Sequence, residues 1–198
     1  MFRKKIKGFT VIELLIVMAI SVVLFGVVLF NYGTFNDKAS LSSSAQEVAV
    51  GIRQAQIYGI NVKEATVGGG NFNNSYGVYF NRISSPDAYY IFVDKNNNGV
   101  YSDPIGACGG TECIEKILLK NGVTVHSITS TSCSGASSII GVQVFFKRPN
   151  PDAIIKLMDY DGYWCNSQVI TNATITLKSP KGEFQTINIE NTGQIYLP

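Results

Sequence analysis

Charge is scarce in this chain of 198 residues, with only 15% Asp, Glu, Lys and Arg, and histidine occurs once, as His126. Most of the patterns that carry catalysis are missing with it. There is no Gly-x-Ser-x-Gly turn to lift a serine nucleophile out of a sheet. There is no glycine-rich phosphate loop and no His-Glu-x-x-His pair on a helix face. The four cysteines include no Cys-x2-Cys pair, so disulfides are favoured over a zinc site. His126 falls within an apolar, strand-like pattern, the setting of a core or surface histidine rather than of a general base. The expectation is a protein that is not an enzyme.

What the chain has in plenty is apolar sequence at its start. Arg3, Lys4, Lys5 and Lys7 come first, with no acid among them, and then the sequence stays apolar to about Phe30 apart from Glu13. About 20 apolar residues suffice to cross a bilayer as a helix, and this run reaches that length. It is longer than the roughly 7–15 residue core of an ordinary secretory signal, and no Ala-x-Ala follows it. A plain signal anchor would fit the length but would leave Glu13 without a reason. A carboxylate in hydrocarbon is costly and persists only when something outside the helix answers it.

The order Gly8-Phe9-Thr10-Val11-Ile12-Glu13-Leu14-Leu15 resembles the class III signal of type IV prepilins and type II secretion pseudopilins. The resemblance implies that a prepilin peptidase cuts after Gly8, that Phe9 becomes an N-methylated terminus, and that Glu13 guides assembly. It implies as partners other pilin or pseudopilin subunits, that peptidase and the inner membrane. Residues 1–8 would be the leader, 9–30 a transmembrane and filament-core helix, 31–62 its amphipathic continuation, and 63–198 an extracytoplasmic domain. The basic flank should keep the N-terminus in the cytoplasm.

Formal net charge is +2, from 16 bases and 14 acids, but the leader holds four of those bases. The mature chain therefore carries 12 bases against 14 acids, a net −2, and without Glu13 the water-facing part stands at −1. No electrostatic footprint for nucleic acid is present there.

Beyond Phe30, Leu41, Ala45, Val48, Ala49, Ile52 and Ile60 form an amphipathic stripe that needs a surface to bury it. Asp37, Lys38, Glu47 and Arg53 fall on the other faces. One helix from 9 to about 61 would be roughly 80 Å long, with Gly26 and Gly33 as a hinge or as small contact residues. After Gly68-Gly69-Gly70 the period changes to that of strands, expected at 76–80, 88–93, 115–119, 123–128, 140–146, 154–158, 173–177, 184–189 and 194–197. The fold class expected is α+β, a long N-terminal helix on an antiparallel sheet. This layout is similar to that of the H-type minor pseudopilins and related minor pilins, as is the closing segment from Ile187 to Ile195. Many of those relatives carry Arg after the hairpin glycine. Gln194 stands there instead, which weakens a DNA-binding reading.

Two local groups remain. Asp94, Asn96 and Asn98 followed by Gly99 read as the opening of a calcium loop. Its twelfth position is Ile105 rather than Glu, so Asp103 or a residue elsewhere would have to complete the shell. The competing reading is a plain turn, since Asn98-Gly99 is a strong turn signal. Cys108, Cys113, Cys133 and Cys165 allow three pairings, and in an exported domain they can oxidise. Gly109-Gly110 lets a short Cys108–Cys113 loop close, leaving Cys133 with Cys165. Asp159, Asp161 and Trp164 read as a solvated turn beside Cys165, with a binding loop as the alternative.

Overall fold

The computed structural model describes residues 8–61, 73–104, 108–132, 139–160 and 169–198. Helix α1 runs from Val11 to Ile60, 50 residues, or about 75 Å. It is α-helical through Gly26 and Gly33 without a break. At its end the backbone N–H of Asn61 still donates to the Ile57 carbonyl at 2.9 Å.

Nine strands follow among the described residues: β1 Ser75–Asn81, β2 Ser85–Asp94, β3 Cys113–Leu118, β4 Thr124–Thr129, β5 Gly141–Phe146, β6 Ala153–Met158, β7 Asn172–Lys178, β8 Phe184–Glu190 and β9 Ile195–Tyr196. Each matches an expected strand to within a few residues. They make two antiparallel sheets, ordered β3-β2-β1-β5-β6 and β4-β7-β8-β9. The chain first leaves one sheet for the other at the turn between β3 and β4, where Asn121 and Gly122 both take positive φ, 56° and 72°. Asparagine and glycine are the residues that tolerate that backbone.

The second half of α1 is buried along most of its expected stripe, with Ala49 and Ile60 only half-buried and Ala55 added to it. Leu41, Ala45, Val48, Ile52 and Ala55 are all at most 3% exposed. They share one core with Val78, Phe80, Tyr89, Ile91, Val144 and Phe146 of the first sheet and Ile175, Leu177, Ile187 and Ile189 of the second. Burying each Val, Ile or Leu contributes about 1.5–3 kcal/mol, so this stripe dominates the docking of helix to sheets. Two glycines let the helix approach closely. A Cβ on Gly59 would lie 2.5 Å from the Phe146 carbonyl oxygen, and one on Gly51 would enter the Tyr89 ring.

The polar faces of α1 also find partners. Lys38 pairs with Glu183 at 3.4 Å and Glu47 with Lys120 at 2.9 Å. The Asn121 amide donates to Ser40 Oγ at 2.7 Å, and the Ser179 hydroxyl donates to Asp37. The β3–β4 and β7–β8 turns thus clasp the helix just beyond its membrane-length segment. Exposed pairs of this kind are worth at most about 1 kcal/mol each; they set orientation more than stability.

The first sheet is covered on its other face too. Tyr79, Tyr90, Phe92, Tyr101 and Phe145 form a second cluster, with the Tyr101 ring centroid 5.2–5.8 Å from those of Tyr79, Phe92 and Tyr90. Tyr101 follows the end of β2 and lays its ring back over the sheet. For that reason all seven residues of β1 are buried.

Candidate functional site

Two segments gather the residues singled out by sequence: the N-terminal end of α1, and the loop between β2 and β3. The first is built by a capping box. Thr10 takes extended backbone angles (φ −84°, ψ 153°) and its Oγ accepts from the Glu13 backbone N–H at 3.3 Å. In return the Glu13 carboxylate accepts from the Thr10 N–H at 2.8 Å. This reciprocal pair satisfies two otherwise orphaned donors and fixes where the helix begins. Gly8 and Phe9 therefore precede the helix as exposed chain. Phe9 is 84% exposed, and a Cβ built on Gly8 meets nothing within 4 Å.

From Val11 to Phe30 the apolar side chains face outward, and α1 is long and apolar enough there to cross a membrane. The hydroxyl of Ser21 donates to the Val17 carbonyl at 2.8 Å, which satisfies a polar group inside the helix itself. None of this stretch is buried against the domain. Its apolar surface is left for lipid or for other helices.

The second segment begins at Asp94, 2% exposed at the end of β2. Its carboxylate accepts from the backbone N–H of Asn98 at 3.1 Å and of Gly99 at 2.8 Å. Asn96 Oδ1 accepts from Asn98 N–H at 2.9 Å, and Asn98 Oδ1 from Val100 N–H at 2.7 Å. Gly99 has φ +69°, the sharp bend that a glycine at the sixth position of such a loop permits. Asp94, Asn96 and Asn98 are thus brought into one loop. Asp103 is set apart from them: its two oxygens accept from the backbone N–H groups of Thr111, Glu112 and Cys113 at 2.9, 2.8 and 2.6 Å. Ile105 lies outside the described residues.

Sequence reading did not single out Glu112. It is 1% exposed, its Oε2 accepts from Ser102 N–H at 2.8 Å, and its Oε1 has no hydrogen-bond partner. It reaches the loop from across the sheet, where Val93 N–H donates to its carbonyl at 2.9 Å. No spacing along the chain signals that approach.

Cys108 and Cys113 form a disulfide with Cα atoms 5.3 Å apart, within the usual span. Cys133 and Cys165 lie outside the described residues, as do Asp161 and Trp164. Asp159 is half-buried and Tyr160 exposed, with the Arg82 guanidinium 6.0 Å from the Tyr160 ring centre. His126 is exposed on β4, its ring 5.1 Å from that of Phe184. Gln194 is exposed in a groove between the end of α1 and the β8–β9 hairpin, where the one basic lining residue is Arg53.

Comparison with curated proteins and with solved structures returns no match. One family matches, and only at the N-terminus. Over residues 3–29, which include the exposed Gly8-Phe9, the Thr10–Glu13 cap and most of the outward-facing apolar helix, the chain carries the prokaryotic N-terminal methylation motif, the signature of type IV prepilins and pseudopilins.

Proposed function

We propose that this chain is a pilin or pseudopilin subunit, and a minor one resembling the H-type pseudopilins, which enters a type II secretion pseudopilus or a type IV pilus through α1. Before assembly it sits once in the inner membrane with its basic end in the cytoplasm and its β domain outside. Prepilin peptidase removes residues 1–8, Phe9 is methylated, and the carboxylate of Glu13 then pairs with the amine of a neighbouring subunit's Phe9. The role is structural rather than catalytic, in support of protein secretion or pilus formation.

One observation carries this reading. A helix whose first 20 or so residues present outward-facing apolar surface, broken only by Glu13 and Ser21, continues unbroken into a half that is locked to the domain. Such an object cannot satisfy its first half alone in water. The helix must be met by lipid, or by the same helix in other subunits.

The test is mass spectrometry of the full chain, expressed beside an active prepilin peptidase and extracted from membranes. A chain beginning at methylated Phe9, and recovery of the protein in sheared fibres, are expected. Gly8→Val should leave the leader in place, because the peptidase needs a small residue before the cut. An intact Met1 chain from the wild type under those conditions would overturn the reading.

A further inference from the structure

We propose that the β2–β3 loop, together with the buried carboxylate of Glu112, binds a calcium ion. The side-chain oxygens of Asp94, Asn96 and Asn98 and the carbonyl of Val100 occupy the first, third, fifth and seventh positions of a calcium loop. Glu112 supplies the carboxylate that its twelfth position lacks. This site is independent of how, or whether, the subunit is built into a fibre.

The loop alone would be a turn rich in asparagine, because every bond within it is of the kind that short polar side chains make in turns. Glu112 is what distinguishes it. A buried carboxylate oxygen without a donor carries the cost of desolvation with nothing to offset it. Here Oε1 of Glu112 is such an atom. Its companion Oε2 is held by the N–H of Ser102, the ninth loop position, so the carboxylate faces the loop. Asp94 is buried to the same degree, and among the described residues neither acid makes an ion pair with Lys or Arg. Lys156 Nζ lies against the loop, 2.9 Å from where a Cβ on Gly99 would be, but pairs with neither acid; the two buried carboxyl groups, one held by Asn98 and Gly99 and the other by Ser102, are left for a bound cation to answer.

The donor set selects the cation. All the candidate ligands are oxygens, which suits a hard ion, and the mixture of carboxylates, amides and a backbone carbonyl suits calcium. Among the described residues no three His, Cys, Asp or Glu side chains converge, so the charge supplied is that of two carboxylates. Two match the ion's charge without excess, and they place the affinity in the weak range of extracellular sites, about 10⁻⁴–10⁻³ M. The proposal also reassigns Asp103. Its oxygens are committed to three backbone N–H groups of the 111–113 segment, so it positions Glu112 rather than binding the ion.

Terbium luminescence on the full chain in detergent micelles tests this, with Tyr101 close enough to the loop to act as sensitiser. Tyrosine-excited emission that millimolar calcium displaces, and a calcium-dependent rise in melting temperature, are expected for the wild type. Glu112→Gln keeps an acceptor for Ser102 but removes the charge, and should weaken terbium and calcium binding at least tenfold. Asn96→Ala, on an exposed side chain, should weaken binding less without disturbing the fold, and it decides the matter if Glu112→Gln does not fold. Asp103→Asn keeps one acceptor oxygen for the 111–113 segment and the ion's own ligands, so it should weaken binding less than Glu112→Gln. Emission that calcium cannot displace, or equal calcium affinity in the wild type and in whichever of the Glu112 and Asn96 variants is folded, would overturn the site.

Discussion

The carboxylate of Glu13 accepts hydrogen bonds from both the backbone N–H and the hydroxyl of Thr10, each at 2.8 Å. The residue expected to guide assembly is therefore also a helix cap, and the two roles have different chemical needs. A cap needs only an acceptor, which glutamine provides. A partner for a neighbouring Phe9 amine needs the negative charge. Glu13→Gln and Glu13→Ala should both leave membrane insertion and cleavage intact, and both should be depleted from sheared fibres to a similar degree. Immunoblots of the fibre fraction against the membrane fraction measure this. Near-normal incorporation of Glu13→Gln alongside failure of Glu13→Ala would show that the cap, not the charge, is what assembly requires.

Gly59 separates intrinsic helix preference from packing. Alanine is favoured over glycine inside a helix by about 1 kcal/mol, so Gly59→Ala would stabilise an isolated helix. Here the new methyl group would lie 2.5 Å from the Phe146 carbonyl oxygen and 2.8 Å from Phe146 Cβ. Backbone cannot yield as a side-chain tip can, and overpacking costs about 1–3 kcal/mol. The expected net effect is destabilisation by about 1 kcal/mol or more, read from the urea or thermal midpoint. Gly26→Ala, where a Cβ meets nothing within 4 Å, serves as the control and should not lower stability. A Gly59→Ala midpoint at or above the wild type would show that the helix can lift from β5.

These two glycines mark the boundary of what was legible in the sequence. The long helix, its buried stripe and the strands could be read because each repeats a local period, 3.6 or 2, that burial imposes residue by residue. The methylation motif could be read because its residues, Gly8, Phe9 and Glu13 among them, stand in a fixed linear order. What could not be read depends on contacts between residues far apart in the chain. At Asn121-Gly122 the chain leaves the first sheet for the second, whereas an Asn-Gly pair by itself predicts only a tight hairpin. Gly59 looks like a helix weakener until Phe146 is placed against it. Glu112 is ten residues beyond Ser102, at the far end of the same connection, and meets the 94–102 turn only through the pairing of β2 with β3. Asp103 was legible as an acid near the loop, but the backbone donors that hold it come from the disulfide hairpin.

Burial raises the hydroxyl pKa of Tyr79, Tyr89 and Tyr101 above the ordinary tyrosine value, with desolvation the first cause at each. The Glu47 and Glu115 charges push Tyr89 in the same direction, as do Asp103 and Glu112 at Tyr101. A raised value means that the folded state holds these protons more tightly than the unfolded chain does. Stability should therefore be fully present below about pH 10, where unfolded tyrosine begins to ionise, and should fall as pH climbs beyond it. Absorbance near 295 nm should show part of the chain's ten tyrosines ionising only together with the loss of folded-state circular dichroism. Complete titration near pH 10 with the fold intact would show that these hydroxyls are not shielded.

Asp103 and the Cys108–Cys113 bridge hold the same short loop, one by hydrogen bonds and one covalently. The bridge closes a loop with a sequence separation of 5, for which chain entropy gives about 2 kcal/mol. Asp103 accepts from three backbone N–H groups at residues 111–113, and Gly110 allows this, since a Cβ there would run into the carboxylate. Charge-assisted bonds at a partly exposed site of this kind should together contribute about 1–3 kcal/mol. Because each constraint pre-orders the donors or the closure that the other uses, their effects should not add. Replacing both cysteines by alanine costs about 2 kcal/mol on this account, and Asp103→Ala costs a comparable amount. The combined variant should lose less than the sum by at least about 0.5 kcal/mol, beyond the spread seen for independent sites. Urea midpoints of the four proteins, with m-values compared so that the unfolded states are known to match, close the cycle. Additivity within about 0.3 kcal/mol would mean that the carboxylate stabilises β3 alone and takes no part in shaping the disulfide loop.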